Sequence, residues 1–163
     1  MLVIGDSLAV GMEQSLRAAL PGWRVEVTAR IGRPLAEGMG ILAQRDAPAI
    51  LALSLFTNDD PNTVAQLADA VRGTATRRGG CAVWATIAAP PYNGVSYESA
   101  NPALRRLSVE PRLAPSLRLV DCHAMVARHE SFIAGDGVHG TPAGYVARGR
   151  AYAKAIRSWA RAG

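Results

Sequence analysis

The sequence contains few cysteines and no long uninterrupted apolar run. Its 163 residues include two cysteines, Cys81 and Cys122, which are too few for a disulfide scaffold and lack the paired Cys/His spacing of a zinc site. Because they would fall at opposite ends of neighbouring parallel strands, we expect no disulfide between them. No apolar stretch reaches the length of about 18 residues that a membrane-spanning helix needs. We therefore predict a chain without a structural metal, a disulfide or a membrane span.

The start of the sequence lacks the pattern of a secretory leader. Met1 is followed at once by the apolar residues 2–4 and then Gly5, with no charged segment and no cleavage site. The compartment therefore stays open between the cytoplasm and, if a leader or membrane segment has been trimmed, an extracytoplasmic location. No internal repeat is present, and 49% hydrophobic residues in a chain of this length predict a single domain over residues 1–163, expected to be a monomer.

The excess positive charge is confined to one end of the chain. The formal net charge is +5, yet residues 1–136 hold 13 basic and 13 acidic side chains. The excess lies at Arg148, Arg150, Lys154, Arg157 and Arg161. All of these but Arg148 share one stripe of a helical wheel, which is typical of a solvated helix face. So local a basic face does not favour nucleic-acid binding as the function.

Short apolar runs alternate with helical patterns along the chain. Five runs have the length and composition of strands, at residues 2–4, 23–27, 50–55, 82–87 and 117–121. Helical patterns are predicted at residues 8–20, 61–80, 103–109 and 142–162. The alternating run at 23–27 is typical of a half-buried edge strand. Strands joined by helical crossovers predict a parallel sheet with helices on both faces, a three-layer α/β/α sandwich.

The tripeptide Gly5-Asp6-Ser7 lies where the first strand gives way to the first helix. Ser7 is therefore expected at the carboxyl edge of the sheet beside a helix N-terminus, which is a good place for a nucleophile. An acid and a hydroxyl after a glycine are also an ordinary helix N-cap. The tripeptide alone does not separate these two interpretations.

A carboxylate and an imidazole stand three residues apart in the glycine-rich segment 135–140. One turn of backbone can place Asp136 against Nδ1 of His139, which fixes the imidazole tautomer and leaves Nε2 free to take a hydroxyl proton. The pair would then be the base half of a serine triad. The simpler interpretation is a loop-capping carboxylate beside a surface histidine.

Two further candidate residues follow strands at the same sheet edge. Asn58 comes directly after the third strand, and its side-chain amide can donate to an oxyanion. Gly32 lies in the loop after the second strand. Each residue is by itself typical of a turn. Their shared location with Ser7, at the edge where open α/β sheets bind ligands, favours a functional site.

Four sequence blocks together resemble those of the SGNH (GDSL) hydrolase family: Gly5-Asp6-Ser7, Gly32, Thr57-Asn58-Asp59 and Asp136-x-x-His139. The resemblance spans nearly the whole chain and implies a flavodoxin-like, five-stranded parallel sheet in the order 2-1-3-4-5. It implies that Ser7 is the nucleophile, His139 the general base and acid, and Asp136 its orienting partner. The N–H groups of Ser7 and Gly32 and the side chain of Asn58 would form the oxyanion hole.

The third block departs from the family's pattern, which usually reads Gly-x-Asn-Asp. Phe56 stands at the glycine position, where a backbone with positive φ would resist it and where its ring could narrow the acyl pocket. Two other candidates for substrate binding are Tyr92, in the loop after the fourth strand, and Arg33. The alternatives are an ordinary proline-punctuated loop for Tyr92 and a solvated side chain for Arg33.

These residues predict a serine esterase that cleaves short acyl esters, acetyl above all, of a small molecule or a carbohydrate. A chain this short has little room for a lid, which favours short acyl groups. Two alternatives stay open: an O-acyltransferase domain that passes the acyl group to a carbohydrate hydroxyl, and a binding module whose crevice is narrowed by Phe56. Serine chemistry of this kind needs neither a metal nor a cofactor.

Overall fold

Parallel strands at the centre of the molecule form one sheet in the order β2-β1-β3-β4-β5. The structure is a computed structural model that describes residues 1–46, 48–77 and 80–161. The strands are β1 (Leu2–Gly5), β2 (Glu26–Ala29), β3 (Ile50–Ser54), β4 (Cys81–Ala85) and β5 (Leu117–Val120). The helices are α1 (Ser7–Ala19), α2 (Leu35–Ala43), α3 (Val64–Ala75), α4 (Ala100–Ser108), α5 (Cys122–Arg128) and α6 (Pro142–Ala160). The predicted sandwich and its strand order are confirmed.

Side chains that alternate along the strands feed two separate cores, one on each face of the sheet. Leu51 and Leu53 of β3 pack into the core beneath α2, α3 and α4, whereas Ala52 faces the core beneath α1, α5 and α6. Strands β1, β3 and β4 are buried throughout, as expected for strands covered on both faces. The edge position of β2 agrees with its alternating sequence.

Two helices are present that the sequence patterns did not predict. The N-cap of α2 is Pro34, which has no side-chain acceptor, and the Leu35 N–H donates instead to the Asp59 carboxylate at 3.1 and 2.9 Å. Helix α5 has only seven residues and is capped by Asp121, which accepts from the Ala124 N–H at 3.0 Å. The cap of α2 comes from another loop, and α5 is very short. The residues of these two helices therefore carry little local sequence pattern that would predict a helix.

The predicted boundaries shift by a few residues elsewhere. Strand β2 begins at Glu26 rather than at residue 23, because the Trp23 N–H still bonds to the Leu20 carbonyl and pairing starts where the Glu26 N–H reaches the Met1 carbonyl. Helix α1 begins one residue early, at Ser7. The helical pattern predicted over residues 61–80 is shorter in the structure, since α3 spans Val64–Ala75. Residues 78, 79 and 162 of the predicted helices lie outside the described residues.

The last helix corrects one part of the charge interpretation. The side chains at Arg150, Lys154, Arg157 and Arg161 are exposed, as the wheel predicted, but Arg148 is only 8% exposed. Its Nη2 donates to the Ser54 hydroxyl at 3.0 Å, so part of the charge excess lies inside the molecule.

Both cysteines are free buried thiols, Cys81 opening β4 and Cys122 following β5. Within the described ranges, no helix is both long and apolar enough to cross a membrane.

Candidate active site

The site lies at the carboxyl edge of the sheet, between the ends of β1 and β3. Gly5 pairs with Ser54 in the last register position of these strands, and the Asp6 N–H donates to the Ser54 carbonyl at 2.9 Å. Helix α1 follows at once, with Asp6 as its N-cap and Ser7 as its first residue. This is the point where the strand order reverses, which is where open α/β sheets bind ligands.

Ser7, His139 and Asp136 form a continuous line of hydrogen bonds. Ser7 Oγ lies 3.0 Å from His139 Nε2, and His139 Nδ1 lies 2.6 Å from Asp136 Oδ2. The other carboxylate oxygen, Oδ1, accepts the backbone N–H groups of Val138 and His139, each at 2.9 Å. Asp136 is thereby fixed by its own turn while it orients the imidazole. A hydroxyl, an imidazole and a carboxylate in this order can generate a nucleophile.

The base half of this arrangement is open to solvent. The side chains of His139 and Asp136 are 43% and 52% exposed. Hydrogen bonds from the imidazole and from the backbone N–H groups of His139 and Val138 lower the pKa of Asp136 to about 2. Asp136 is therefore ionised throughout the neutral range, the state in which it stabilises an imidazolium.

The loop that carries His139 is closed on itself before α6 begins. The Ala134 N–H donates to the His139 carbonyl at 2.7 Å, and the Thr141 N–H donates to the Phe132 carbonyl at 3.0 Å. Thr141 caps α6 by accepting from the Gly144 N–H at 3.2 Å. Gly144 also allows this approach: a Cβ there would lie 1.9 Å from the Phe132 carbonyl oxygen. A small residue at the start of α6 thus sets the position of the loop.

Close packing of α6 on α1 fixes the histidine loop relative to the serine. A Cβ at Gly11 of α1 would lie 2.2 Å from the ring of Tyr145 on α6. Ser15 of α1 donates from its hydroxyl to the Tyr145 carbonyl at 2.9 Å. Because Ser7 begins α1 and His139 stands three residues before α6, this helix pair sets the distance between the Ser7 hydroxyl and the His139 imidazole.

The residues predicted for an oxyanion hole lie on three loops that are bound to one another. The Ser7 N–H opens α1, so it has no acceptor within the helix. Gly32 has a φ of +71°, which favours glycine, and a Cβ there would meet open space. Asn58 Nδ2 lies 3.4 Å from both the Asp6 carboxylate and the Arg33 carbonyl. The Asn58 amide therefore contacts both neighbouring segments of the chain.

Arg33 holds these loops together instead of facing a substrate. Arg33 is 5% exposed, and its guanidinium donates to the Gly5 and Thr28 carbonyls at 3.1 and 2.5 Å and to Glu37 at 3.1 Å. Both sequence interpretations of Arg33, as a substrate ligand and as a solvated side chain, are therefore wrong. The buried arginine anchors the Gly32 loop to the ends of β1 and β2.

Phe56 does have the strained backbone expected of a residue at a glycine position, with a φ of +83°. Its ring, however, is 0% exposed and belongs to the core beneath α3 and α4. The expectation that the ring narrows the acyl pocket is therefore wrong, because a ring without exposed surface does not line a crevice. The binding-module alternative loses the observation on which it was based.

Tyr92 lies on an exposed hairpin turn, two residues after Pro90. Tyr92 and Val95 exchange two backbone hydrogen bonds of 2.9 Å across Asn93 and Gly94, both at positive φ, as in a two-residue hairpin. The side chain of Tyr92 is 40% exposed. The same segment approaches the base: a Cβ at Gly137 would lie 3.5 Å from Pro90 Cδ. A role for Tyr92 as a substrate wall stays a prediction.

Sequence patterns missed several residues that support the site. The Asp59 carboxylate caps α2, and burial raises its pKa while the Leu35 N–H lowers it. Tyr97 donates from its hydroxyl to the Thr57 carbonyl at 2.7 Å, and Arg148 reaches Ser54 beneath the nucleophile. Only Asp59 carried a local signal, as an acidic neighbour of Asn58. The others act across long sequence separations.

Several solved structures are similar to this one over nearly its full length. The C-terminal catalytic domain of Streptococcus pneumoniae peptidoglycan O-acetyltransferase A, solved with a methylsulfonyl adduct, has a TM-score of 0.81 at 19% identity, with 98% of this chain and 93% of that chain covered. A member of the lipolytic protein G-D-S-L family from Veillonella parvula has a TM-score of 0.71 at 15% identity, with 98% and 97% covered. The lipase/acylhydrolase from Enterococcus faecalis has a TM-score of 0.68 at 18% identity, with 96% and 95% covered.

These likenesses concern the fold. No protein-family profile matches the sequence, and no curated protein matches it. At identities of 15–19%, what the chain shares with these proteins is the α/β/α architecture of SGNH/GDSL hydrolases.

Proposed function

We propose that this chain, which has the fold of SGNH/GDSL hydrolases, is a serine hydrolase that cleaves short acyl esters through an acyl-enzyme on Ser7. The observation that carries the proposal is the hydrogen-bonded line from Asp136 through His139 to Ser7, with distances of 2.6 and 3.0 Å. A nucleophile and a base within such reach, with the base oriented by a third group, are the signature of nucleophilic catalysis.

Each member of the line has a defined role. Ser7 Oγ attacks the ester carbonyl while His139 Nε2 takes its proton and returns it to the leaving alcohol. Asp136 holds Nδ1–H and stabilises the imidazolium. Water then attacks the acyl-enzyme with His139 again as base, which releases the acid and restores the Ser7 hydroxyl. The N–H groups of Ser7, Gly32 and Asn58 stabilise the oxyanion in both steps.

We assign short acyl groups, acetyl above all, as the preferred substrates, on a small molecule or a carbohydrate alcohol. The exposure of His139 and Asp136 supports this assignment, because a site that is open on this side encloses little of an acyl chain. Tyr92, exposed on its hairpin beside the histidine loop, would contact the alcohol part of the ester. No cofactor takes part in the proposed reaction.

The test combines an activity assay with a covalent probe. Wild-type protein should hydrolyse p-nitrophenyl acetate and be labelled by a fluorophosphonate, whereas Ser7→Ala should lose both with an unchanged circular dichroism spectrum. Ser158→Ala is the matched control, because Ser158 is exposed on α6 and, among the described residues, its hydroxyl bonds only to the Ala155 carbonyl. Labelling of Ser7→Ala at the wild-type rate would contradict the proposal.

Transfer of the acyl group to a carbohydrate hydroxyl is a second candidate function. It is supported by the similarity, over 98% of this chain, to a domain described as a peptidoglycan O-acetyltransferase. The same acyl-enzyme serves both reactions, since only the attacking hydroxyl differs. With an activated acetyl ester and a carbohydrate acceptor, a transferase should form acetylated acceptor faster than free acetate, and a hydrolase should do the reverse.

A further inference from the structure

A buried carboxylate lies directly beneath the nucleophile. Asp6 is 0% exposed and accepts from the Leu8 N–H at 3.0 Å through Oδ1. Its Oδ1 also faces the Ser54 hydroxyl, and its Oδ2 faces Asn58 Nδ2, both at 3.4 Å. Burial raises the pKa of Asp6, while the charge of Arg148 and the Leu8 N–H lower it. Asp6 thus joins the α1 cap to the Asn58 amide.

A buried arginine is connected to this carboxylate through one hydroxyl. Arg148 Nη2 donates to Ser54 Oγ at 3.0 Å. Because an arginine has no acceptor, the Ser54 oxygen accepts from it and the Ser54 proton is left for Asp6 Oδ1. The bonds therefore run in one direction, from Arg148 through Ser54 to Asp6.

Arg148 is a buried guanidinium that donates to Ser54 and lies over the ring of Tyr152, 5.7 Å from its centroid. Its Nε has no hydrogen-bond partner among the described residues, and it is 8% exposed. Buried ion pairs are often replaced by apolar side chains without loss of stability. The buried positive charge of Arg148 balances the negative charge of the Asp6 carboxylate.

The acceptors around Asn58 determine which way its amide points. Nδ2 faces the Asp6 carboxylate and the Arg33 carbonyl, and neither of these groups can donate a hydrogen bond. A flipped amide would place Oδ1 against both acceptors, which would be repulsive. The carboxylate and the carbonyl therefore hold the NH₂ group in place.

We propose that Arg148, Ser54 and Asp6 are positioning residues that hold the Asn58 amide in the orientation needed to stabilise the oxyanion on Ser7. The proposal rests on the proposed acyl chemistry at Ser7. None of the three side chains contacts the reacting atoms, so each acts through Asn58.

Asp6→Asn is the most informative variant, because an asparagine still caps α1 but offers no second acceptor to Asn58. We expect kcat for p-nitrophenyl acetate to fall about tenfold with KM little changed, within the coupling that neighbouring residues show. In an Asn58→Ala background, the same change should lower kcat less than about twofold, because the group through which Asp6 acts is gone. An equal loss in both backgrounds, or no loss in either, would overturn the proposal.

The arginine is tested by a second cycle. Arg148→Met removes the charge and the donor at similar length, and should lower kcat in the wild-type background but have little further effect beside Asp6→Asn. Asp121→Asn is the matched control, since Asp121 also caps a helix and pairs with an arginine, Arg105, at 2.8 Å, but bonds to no residue of the site. If Arg148→Met lowers kcat equally in the wild-type and Asp6→Asn backgrounds, Arg148 is not one of the residues that position Asn58.

A measurement on the free protein separates this proposal from the proposed function. The side-chain NH₂ signals of Asn58 in a ¹⁵N–¹H spectrum are identified by their absence in Asn58→Ala. They should move in Asp6→Asn and in Arg148→Met and stay in place in Asp121→Asn. Unmoved signals in both variants would overturn the proposal that these residues position Asn58, even if the protein is an active esterase. Moved signals in a protein without esterase activity would contradict the proposed function alone.

Discussion

The ring of Phe56 packs edge-on against the ring of Tyr97, with centroids 6.2 Å apart and planes at 75°. The Tyr97 hydroxyl in turn lies 2.7 Å from the Thr57 carbonyl and 3.2 Å from the Asp59 carbonyl, on either side of Asn58. Burial raises the pKa of Tyr97 to about 12, so it stays a donor at neutral pH. A strained residue and a buried tyrosine together clamp the turn that presents Asn58.

Two separate substitutions of Phe56, by alanine and by glycine, distinguish the cost of its backbone strain from the contribution of its ring to packing. Phe56→Ala removes a fully buried ring, which costs about 3–5 kcal/mol, and keeps a Cβ at positive φ. Phe56→Gly removes the same ring but relieves about 1–2 kcal/mol of backbone strain. We therefore expect both variants to be destabilised in urea denaturation, with Phe56→Gly the more stable of the two by about 1 kcal/mol. Equal stability would mean that the native φ is not strained.

Asn58→Ala should slow turnover without unfolding the protein. Loss of one oxyanion-hole donor costs about 2.7–4 kcal/mol of barrier, a reduction of roughly a hundredfold to a thousandfold in kcat. The control is Asn62→Ala, four residues on, whose side chain is exposed. Steady-state kinetics with p-nitrophenyl acetate make the comparison. A kcat of Asn58→Ala that matches that of Asn62→Ala would exclude Asn58 from the mechanism.

Two glycine-to-alanine changes should have opposite effects. In Gly144→Ala the new methyl meets the Phe132 carbonyl oxygen, so the histidine loop must shift, and both stability and kcat should fall. In Gly73→Ala the methyl meets open space on the exposed face of α3, and the protein should gain up to about 1 kcal/mol from helix propensity. Thermal melts and ester assays on both variants check this. Full activity in Gly144→Ala would show that the loop position does not control the base.

The Asp121 carboxylate should stabilise the fold in a pH-dependent way. Burial alone would raise its pKa, but hydrogen bonds from Arg105, Ala124 and Thr86 outweigh burial and bring the pKa to about 2. Because this lies below the ordinary value of 3.8, the contribution is complete above about pH 5 and is lost as the pH falls towards 2.

Asp121→Asn should reveal this contribution as a difference in the free energy of unfolding. A shift of this size would correspond to about 2.5 kcal/mol, but the two side chains are 35% and 40% exposed, and solvent screening reduces the expected loss to about 1 kcal/mol. Urea denaturation should show the same loss at pH 7 and pH 5 and about half of it at pH 3. A loss that stays constant down to pH 3 would mean that hydrogen-bond geometry, and not charge, is responsible.

The positions of the candidate site residues were accessible from the sequence because of a general property of parallel sheets. Ser7 comes two residues after β1 and Asn58 four residues after β3, and such strand ends meet at one edge. The spacing of Asp136 and His139 is local, so one turn of backbone is enough to join them. Short local patterns, each only a few residues long, were therefore enough to predict where these candidate site residues lie.

What the sequence did not reveal depends on contacts between distant residues. Arg148 looks like one more charge on a basic helix, yet its partner Ser54 is 94 positions away. Arg33 looks solvated, because the carbonyls that bind it lie on two strands. Helix α2 has its cap on Asp59, 24 positions on. Side chains that satisfy the backbone of another segment leave no periodic signal in the chain.

Two distant segments of the chain meet in the bond between Ser7 and His139, which are 132 positions apart. During synthesis Ser7 leaves the ribosome before His139, so the proposed nucleophile has no base until the loop before α6 has emerged and α6 has docked on α1. Contacts across such sequence distances carry a large loop-closure entropy, which favours their late formation. Under the proposed function, ester cleavage would therefore report the docking of α6 on α1, and a nascent chain that stops before residue 139 would lack the proposed base.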